Sequence, residues 1–264
     1  MKKYLVIGNP IDHSLSPNLH NHWINKNRLN AVYEKKKINE SGIKDIVSQI
    51  RNGKISGINV TVPYKNLIIP YLDELSPEAN ESQSVNTIYK ENEKIIGHNT
   101  DAGGFGLALS HINYDVKDKK IFILGAGGVV PSIIVALKKK GVSKIIISNR
   151  TQEKAENMKK IDTNIEILKW GKTPDFNMII NATSLGLKNN DEIKLNYSAI
   201  GGNKLFFDVI YNPKQTKFLS KAKEFGNQIE NGKMMFIYQA HQAFTLWNKI
   251  MPDIDSETIK LLDQ

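Results

Sequence analysis

The sequence predicts an α/β fold built from two α/β domains. Short apolar runs alternate with helix-like segments along the 264 residues, which is typical of sheets covered by helices. A glycine turn at 125–128 lies between an apolar strand and a helix. The strand–helix alternation also becomes more regular after residues 101–104, where glycines indicate a domain boundary.

Composition is that of an ordinary soluble protein, with 40% hydrophobic and 24% charged residues. The absence of cysteine excludes disulfide frameworks and thiolate zinc sites. The net charge of +9 raises the question of nucleic acid, but lysine runs such as 138–140 lack interleaved aromatics, so we expect no nucleic-acid partner.

The apolar run at 5–7 is too short for a signal peptide or membrane span. We therefore expect a cytoplasmic protein without a membrane partner. The protein is expected to be a monomer or a homodimer.

The first hundred residues alternate strand and helix patterns. The predicted strands are 3–7, 31–36, 57–62, 85–89 and 94–97. One predicted helix begins at Ser16, and two others cover 43–50 and 64–75. Ser16 before Pro17 is a standard helix start, with serine as the N-cap. Pro70 predicts a kink in the third helix. The last two strands are expected to form a hairpin.

The remainder of the chain shows a cleaner strand–helix series. Its predicted strands are 120–124, 144–148, 177–181 and 204–209, and its predicted helices are 105–111, a helix after the glycine turn, 152–160, 234–251 and 256–262. Each strand is a short apolar run, as expected in a parallel sheet covered on both faces.

The glycine turn reads Gly125-Ala126-Gly127-Gly128 and directly follows a predicted strand. Glycines allow backbone N–H groups to approach a pyrophosphate at a helix N-terminus. Val130 stands where the strict dinucleotide fingerprint has a third glycine or an alanine. A tight strand-to-helix connection therefore remains the alternative to phosphate binding.

The end of the next strand, Asn149-Arg150-Thr151, bears on the choice of cofactor. A fold specific for NAD places an acid near this point, whereas the first acid here is Glu153. Arg150, with Thr151 and Lys154 beside it, suits a ribose 2′-phosphate and predicts NADP. Alternatively, Arg150 is a surface residue and Thr151 caps the following helix.

Polar residues of the first half indicate a second binding site. The hydroxyls of Ser14 and Ser16 at a helix start can bind a carboxylate, although the residues by themselves favour a plain cap at Ser16. Alternation along the strand 57–62 sends Asn59 and Thr61 to one side, where both can face a ligand.

A lysine and an aspartate are candidates for proton transfer. Lys65 lies just past the carboxyl end of a predicted strand, where α/β sheets usually hold ligands. Asp101 follows Asn99-Thr100 at the predicted domain boundary and can pair with this lysine or cap the next helix. A lysine paired with a carboxylate can exchange a proton with a substrate oxygen.

Taken together, these motifs form a larger pattern. Its segments are 14–17, 59–65, 85–87, 99–101, 125–128, 149–151, 181–184, 208–211 and 232–247. In content and order they resemble the shikimate dehydrogenase family over nearly the whole chain, and 59–65 and 99–101 are the most specific. The resemblance implies a substrate-binding domain at 1–101, a Rossmann-type NADP domain at 102–233, and C-terminal helices at 234–264 that pack back on the substrate domain.

The resemblance also implies the reaction, the NADPH-dependent reversible reduction of 3-dehydroshikimate to shikimate. It assigns Lys65 as acid/base assisted by Asp101, Ser14 and Ser16 to the substrate carboxylate with Tyr211 nearby, and Asn59, Thr61, Asn86, Asp101 and Gln239 to the hydroxyls or the carbonyl. The implied cofactor residues are Gly125, Ala126, Gly127, Gly128, Val129, Asn149, Arg150, Thr151, Lys154, Thr183, Val209 and Gly232. No clustered metal-ligand set is visible, and we expect no metal.

The chain departs from the family pattern at three places. Val130-Pro131 is bulkier than the small residues often found in the phosphate turn, Lys154 replaces a frequent arginine, and Val209 replaces a frequent methionine. A lysine cannot make the bidentate contact of an arginine, so these changes bear on cofactor affinity. The nearest rival is a quinate/shikimate dehydrogenase, which accepts quinate and often NAD.

Overall fold

The computed structural model describes residues 1–188 and 190–263. The chain forms two compact units, one of residues 1–104 with 237–264 and one of residues 105–236. The elements in chain order are β1 (Lys2–Gly8), α1 (Ser16–Lys26), β2 (Ala31–Lys37), α2 (Ile43–Arg51), β3 (Gly57–Val60), β4 (Glu74–Leu75), α3 (Pro77–Ser82), β5 (Thr87–Glu91), β6 (Lys94–His98), α4 (Asp101–His111), β7 (Lys120–Leu124), α5 (Val130–Lys139), β8 (Lys144–Ser148), α6 (Gln152–Glu156), β9 (Glu166–Ile167), β10 (Met178–Asn181), α7 (Tyr197–Ile200), β11 (Leu205–Asp208), α8 (Lys217–Glu224), β12 (Gln228–Glu230), α9 (Lys233–Asn248) and α10 (Ser256–Lys260).

The first unit contains a mixed six-stranded sheet in the order β2-β1-β3-β5-β6-β4. β1 is parallel to β2 and β3, whereas β5 and β6 form the predicted antiparallel hairpin. Its two-residue loop, Asn92 and Glu93, has positive φ at both positions, and such turns match the twist of the paired strands. α2 buries Ile43, Ile46, Val47 and Ile50 at helical spacing, and these side chains join the core of β1 and β3.

The second unit contains an all-parallel six-stranded sheet in the order β12-β11-β10-β7-β8-β9. The interior strands β10 and β11 are buried along their whole length, which explains why their sequences are continuous apolar runs. The predicted α/β class is thus confirmed. The glycine turn follows β7 at the carboxyl edge of this sheet, where such folds bind ligands.

The helix predicted over 64–75 is wrong. Only a short 3₁₀ turn, Ile69–Tyr71, forms there, and the chain then enters β4. Pro70 removes a backbone donor inside the segment. The Asp73 N–H also donates to the Ile95 carbonyl at 2.9 Å, and the Asp73 carboxylate accepts from the Ile95 N–H at 2.7 Å. This pairing draws the segment to the sheet edge.

Two smaller differences concern strand and helix ends. β3 ends at Val60, so Thr61 lies beyond the strand and the alternation argument does not apply to it. The helix predicted over 152–160 ends at Glu156 and continues as a 3₁₀ turn. The unpredicted α3 has a recognisable start, since Ser76 accepts a hydrogen bond from the Ala79 N–H at 3.2 Å and Pro77 follows it.

Candidate active site

Lys65 and Asp101 form an ion pair in the first unit. Their side chains are only 12% and 8% exposed, so the pair is shielded from bulk water without being sealed off. Helix capping falls on Asn99, whose Oδ1 accepts a hydrogen bond from the Ala102 N–H at 3.1 Å. Asp101 is therefore free of the capping role and holds the lysine ammonium. Such a pair can deliver a proton at a fixed position.

Asn86 links this pair to other predicted residues. Its Nδ2 donates to Asp101 Oδ1 at 2.9 Å, to Thr100 Oγ1 at 2.9 Å and, at 3.4 Å, to Gln239 Oε1. Its Oδ1 accepts from the Thr100 N–H at 2.8 Å and from the Thr87 hydroxyl at 3.1 Å. The structure thus brings Asn86, Asp101 and Gln239 together although they are up to 153 residues apart in sequence.

Asn59 extends the same network from β3. Its Nδ2 donates to Asn86 O and to Thr87 Oγ1, both at 3.0 Å. Its Oδ1 accepts from the Tyr33 hydroxyl at 2.7 Å. Thr87 belongs to the recognised segment 85–87, but Tyr33 lies in a lysine-rich strand outside every recognised segment. No sequence signal therefore identifies Tyr33.

Ser14 and Ser16 lie side by side, with Ser14 Oγ donating to Ser16 Oγ at 3.2 Å. The predicted N-cap role of Ser16 is wrong, because α1 begins at Ser16 and its N-cap is Leu15, without a side-chain cap bond. Instead the Ser16 N–H donates to Ser14 Oγ at 3.3 Å. Burial raises the pKa of Tyr33 well above its usual value, while hydrogen bonding with Ser16 opposes the rise. Ser16 is therefore a neighbour of the Tyr33 hydroxyl.

Thr61 is half-buried at the end of β3. Its methyl group is so close to Gly8 that a Cβ added there would lie 2.5 Å from it. Within 1–188 and 190–263 its hydroxyl has no hydrogen-bond partner, unlike the side chains of Asn59 and Asn86. The structure does not join Thr61 to the network.

The glycine turn of the second unit has two kinds of glycine. Gly125 has φ +110°, and a Cβ there would lie 2.7 Å from the Ala182 carbonyl oxygen, so the fold itself requires glycine. Gly127 and Gly128 are exposed, and the nearest atom to a Cβ on Gly127 is 4.0 Å away. The protein leaves open the space beside the α5 N-terminus that a phosphate would need. Ala126 is buried and Val129 half-buried in the same turn.

The remaining predicted cofactor residues lie around the carboxyl ends of β8, β10 and β11. Asn149 Nδ2 donates to the Thr151 carbonyl at 2.7 Å. Thr151 occupies the N-cap position of α6 but makes no side-chain cap bond, so the alternative role of Thr151 as a side-chain cap is wrong. Arg150 and Lys154 are exposed, and neither guanidinium nor ammonium pairs with any described residue. Both cations are available to an anion.

Thr183, Val209, Tyr211 and Gly232 also belong to the second unit. A Cβ on Gly232 would lie 2.1 Å from the Val209 carbonyl oxygen, so glycine is required for this close approach. Thr183 donates from its N–H and hydroxyl to Asn181 Oδ1, at 3.0 and 2.7 Å. Tyr211 packs against Phe236 with ring centroids 4.6 Å apart.

Asp208 anchors these loops, although its sequence pattern did not single it out as a site residue. Its carboxylate accepts from Thr216 Oγ1 at 2.6 Å and from both Asn181 Nδ2 and the Ile210 N–H at 3.0 Å. Burial raises the pKa of Asp208 to about 6, against these three hydrogen bonds, which favour the charged form.

The raised pKa of Asp208 predicts a pH-dependent stability. The folded chain holds this proton more tightly than the unfolded chain, so its contribution is present below about pH 4 and is lost as pH rises through about 6. We expect the unfolding free energy of the wild type, measured relative to Asp208→Asn, to fall by about 3 kcal/mol across that range. Denaturant unfolding at several pH values measures it. Asp175 is the control, because Lys120 lowers the pKa of this exposed carboxyl. The unfolding free energy of the wild type, measured relative to Asp175→Asn, should rise with pH.

Neither a metal cluster nor a membrane-spanning helix occurs in the part of the chain that the structure describes. Within 1–188 and 190–263, no group of three or more histidine, aspartate or glutamate side chains is arranged to hold a metal ion. In the same residues, no helix has both the length and the apolar character needed to cross a membrane.

Known protein families match both units. Residues 6–88 match the model of the shikimate dehydrogenase substrate binding domain, and residues 106–208 match the model of shikimate / quinate 5-dehydrogenase. The chain is 61% identical to a shikimate dehydrogenase (NADP(+)) of Pelagibacter ubique (strain HTCC1062), with 99% of each chain covered. The chain belongs to the shikimate dehydrogenase family. The sequence resemblance is thereby confirmed.

Solved structures of shikimate dehydrogenases share the fold. The enzyme from Aquifex aeolicus has a TM-score of 0.89 at 38% identity, with 100% of this chain and 96% of that chain covered. The enzyme from Thermus thermophilus, solved in complex with NADP(H) and shikimate, has a TM-score of 0.90 at 29% identity, with 100% and 99% covered. Both shikimate dehydrogenase structures thus correspond to this chain over essentially its whole length.

Proposed function

We propose that the chain reduces 3-dehydroshikimate reversibly to shikimate with NADPH, the step carried out by the shikimate dehydrogenases it resembles. The observation that carries this proposal is the shielded Lys65–Asp101 pair, joined by hydrogen bonds to the polar side chains of Asn86, Asn59 and Gln239. A ring acid bearing several hydroxyls needs such a set of donors and acceptors beside the proton donor.

The first unit supplies the substrate groups. Addition of a hydride to a ketone makes an alkoxide, which must gain a proton as it forms. Lys65 supplies that proton, and Asp101 holds its ammonium in place. Ser14 and Ser16 bind the carboxylate through hydroxyls at the start of α1, where the helix dipole favours an anion. Asn59, Thr61, Asn86, Asp101 and Gln239 bind the hydroxyls or the carbonyl. Tyr211, which belongs to the second unit, is assigned to the carboxylate by the family resemblance.

The second unit supplies the cofactor groups. NADPH would furnish the hydride when bound. The residues that hold it are those of the glycine turn, Gly125, Ala126, Gly127, Gly128 and Val129, together with Asn149, Arg150, Thr151, Lys154, Thr183, Val209 and Gly232. Arg150 and Lys154 are exposed cations without partners among the described residues, which suits a 2′-phosphate. Lys154 makes a point contact where arginine would be bidentate.

These roles suggest how the chain is organised. We assign substrate binding to residues 1–101 with the C-terminal helices of 234–264, and NADP binding to residues 102–233. The substrate is a small anionic ring acid, which the net positive charge helps to attract.

A steady-state assay tests the function. Shikimate and quinate, each with NADP⁺ and with NAD⁺, are compared by the formation of reduced cofactor. We expect kcat/KM to be highest for shikimate with NADP⁺. Comparable efficiency with quinate or with NAD⁺ would contradict the substrate or cofactor assignment.

Gly127→Ala tests the phosphate turn without disturbing the fold. Because the nearest atom to the new Cβ is 4.0 Å away, the variant should keep the wild-type melting temperature. The methyl group would occupy space that a bound pyrophosphate needs, so we expect KM for NADP⁺ to rise by roughly tenfold while KM for shikimate changes little. Thermal unfolding and steady-state kinetics check the two parts. An unchanged KM for NADP⁺ would place the phosphates elsewhere.

A further inference from the structure

Tyr33 is held at its backbone and its ring by α1. The Asn21 amide donates to Tyr33 O at 2.8 Å, and Asn21 Oδ1 accepts from the Tyr33 N–H at 2.9 Å. The ring stacks on His20, with centroids 4.2 Å apart and an angle of 1° between the planes. Tyr33 is 1% exposed and is therefore a rigid part of the core.

His20 contributes to this rigidity as a neutral ring. Neither of its nitrogens has a hydrogen-bond partner in the described part of the chain. Burial lowers the pKa of His20 to about 3, so the ring is uncharged near neutral pH. It packs as an aromatic side chain among Trp23, Tyr33 and Trp247.

The Tyr33 hydroxyl is one of three groups that hold the Asn59 amide in its orientation, together with the Asn86 carbonyl and the Thr87 hydroxyl. Both Nδ2 hydrogens of Asn59 are used, because Asn86 O and Thr87 Oγ1 each accept one at 3.0 Å. Tyr33 donates to Oδ1 at 2.7 Å. A flipped amide would place its oxygen against the Asn86 carbonyl oxygen, where no donor exists, and would remove the acceptor for Tyr33.

We propose that Tyr33 is a positioning residue that fixes Asn59 as a hydrogen-bond acceptor for a ligand hydroxyl. With both Nδ2 hydrogens donated within the protein, only the second lone pair of Oδ1 remains for a ligand. Asn59 therefore selects a hydroxyl donor at one ring position of the substrate. This inference rests on the proposed function, because it takes the hydroxylated ring acid as the ligand of Asn59.

Tyr33→Phe deletes the hydroxyl and keeps the stacked ring. We expect KM for shikimate to rise about five- to tenfold, the effect of one hydrogen bond, with a smaller change in kcat and none in KM for NADP⁺. Tyr4→Phe is the matched control, since the equally buried Tyr4 donates to Asn248 Oδ1 at 2.9 Å outside the network. This control should lose similar thermal stability without a change in KM.

A double-mutant cycle separates positioning from general support of the fold. In an Asn59→Ala background, Tyr33→Phe should leave KM for shikimate unchanged, because the amide that it positions is gone. Thr87→Val removes the hydroxyl that accepts from Asn59 Nδ2 and leaves the aromatic packing unchanged. Its effect on KM for shikimate should also be smaller in the Asn59→Ala background. A Tyr33→Phe chain that fails to fold would also overturn the inference, because the hydroxyl would then support the fold itself.

The outcomes are distinct. Wild-type protein that does not turn over shikimate with NADP⁺ overturns the proposed function, and this inference with it. An active wild type whose KM for shikimate is unchanged by Tyr33→Phe, or changed equally with and without Asn59, overturns the inference alone.

Discussion

Lys65→Ala is expected to lower kcat by about 10²–10⁴-fold while KM for shikimate changes little. The side chain of Lys65 is 12% exposed and its ammonium is bound by Asp101, so water cannot readily replace it as the proton donor at that position. In the proposed function the serines and amides bind the ring acid, so the loss should fall on the chemical step. Steady-state kinetics with shikimate and NADP⁺ measure the change.

Lys26→Ala is the matched control for Lys65→Ala. It also removes a lysine from a lysine–aspartate pair of the first unit, but the Lys26–Asp255 pair is exposed and belongs to α1 and the start of α10. Its kcat should equal that of the wild type. If Lys65→Ala keeps near-full turnover and the wild-type melting temperature, Lys65 is not the acid/base of the reaction.

Arg150→Ala is expected to raise KM for NADP⁺ by roughly 10- to 100-fold and to leave KM for NAD⁺ unchanged. A hydrogen bond to a charged group contributes about 1.5–3 kcal/mol, and the 2′-phosphate is the only group that distinguishes the two cofactors here. Because Arg150 is exposed and unpaired within 1–188 and 190–263, its removal should not alter thermal stability.

Lys159→Ala separates a specific contact from a loss of net charge. It lowers the charge of the second unit by the same amount, but the Lys159 ammonium pairs with Glu156 at 3.1 Å. KM for NADP⁺ should stay close to the wild-type value in this variant. Equal effects of both substitutions would show that Arg150 acts only through the overall field.

Residues 57–75 show how far a local pattern can predict structure. The apolar alternation correctly predicts β3, but it overextends the strand to Val62, and the pattern after it predicts a helix that does not form. The local pattern of 64–75 is compatible with a helix. Hydrogen bonds between Asp73 and Ile95, 22 residues apart, favour a sheet edge instead, and no local window contains both partners.

The N-cap prediction at Ser16 fails for the same reason, because it uses only neighbouring residues. Serine before proline predicts a cap at Ser16, whereas the structure places Ser16 inside the first turn of α1 and beside Tyr33. Tyr33 lies in β2, 17 residues later, so its relation to Ser16 depends on the packing of α1 against β2, where Asn21 of α1 bonds to the Tyr33 backbone. Such a relation is a product of tertiary packing.

Residue identity and spacing by themselves determined the α/β class, the glycine turn, the cationic end of β8 and the family. Each of these predictions uses backbone preferences and short motifs that act over a few residues, and the family follows from several such motifs in order. Only the tertiary structure decided that Asp101 pairs with Lys65, that Asn86 reaches Gln239, and that the Tyr33 hydroxyl donates to Asn59. Those contacts join distant segments through burial and hydrogen bonding, and they exist only once the chain has folded.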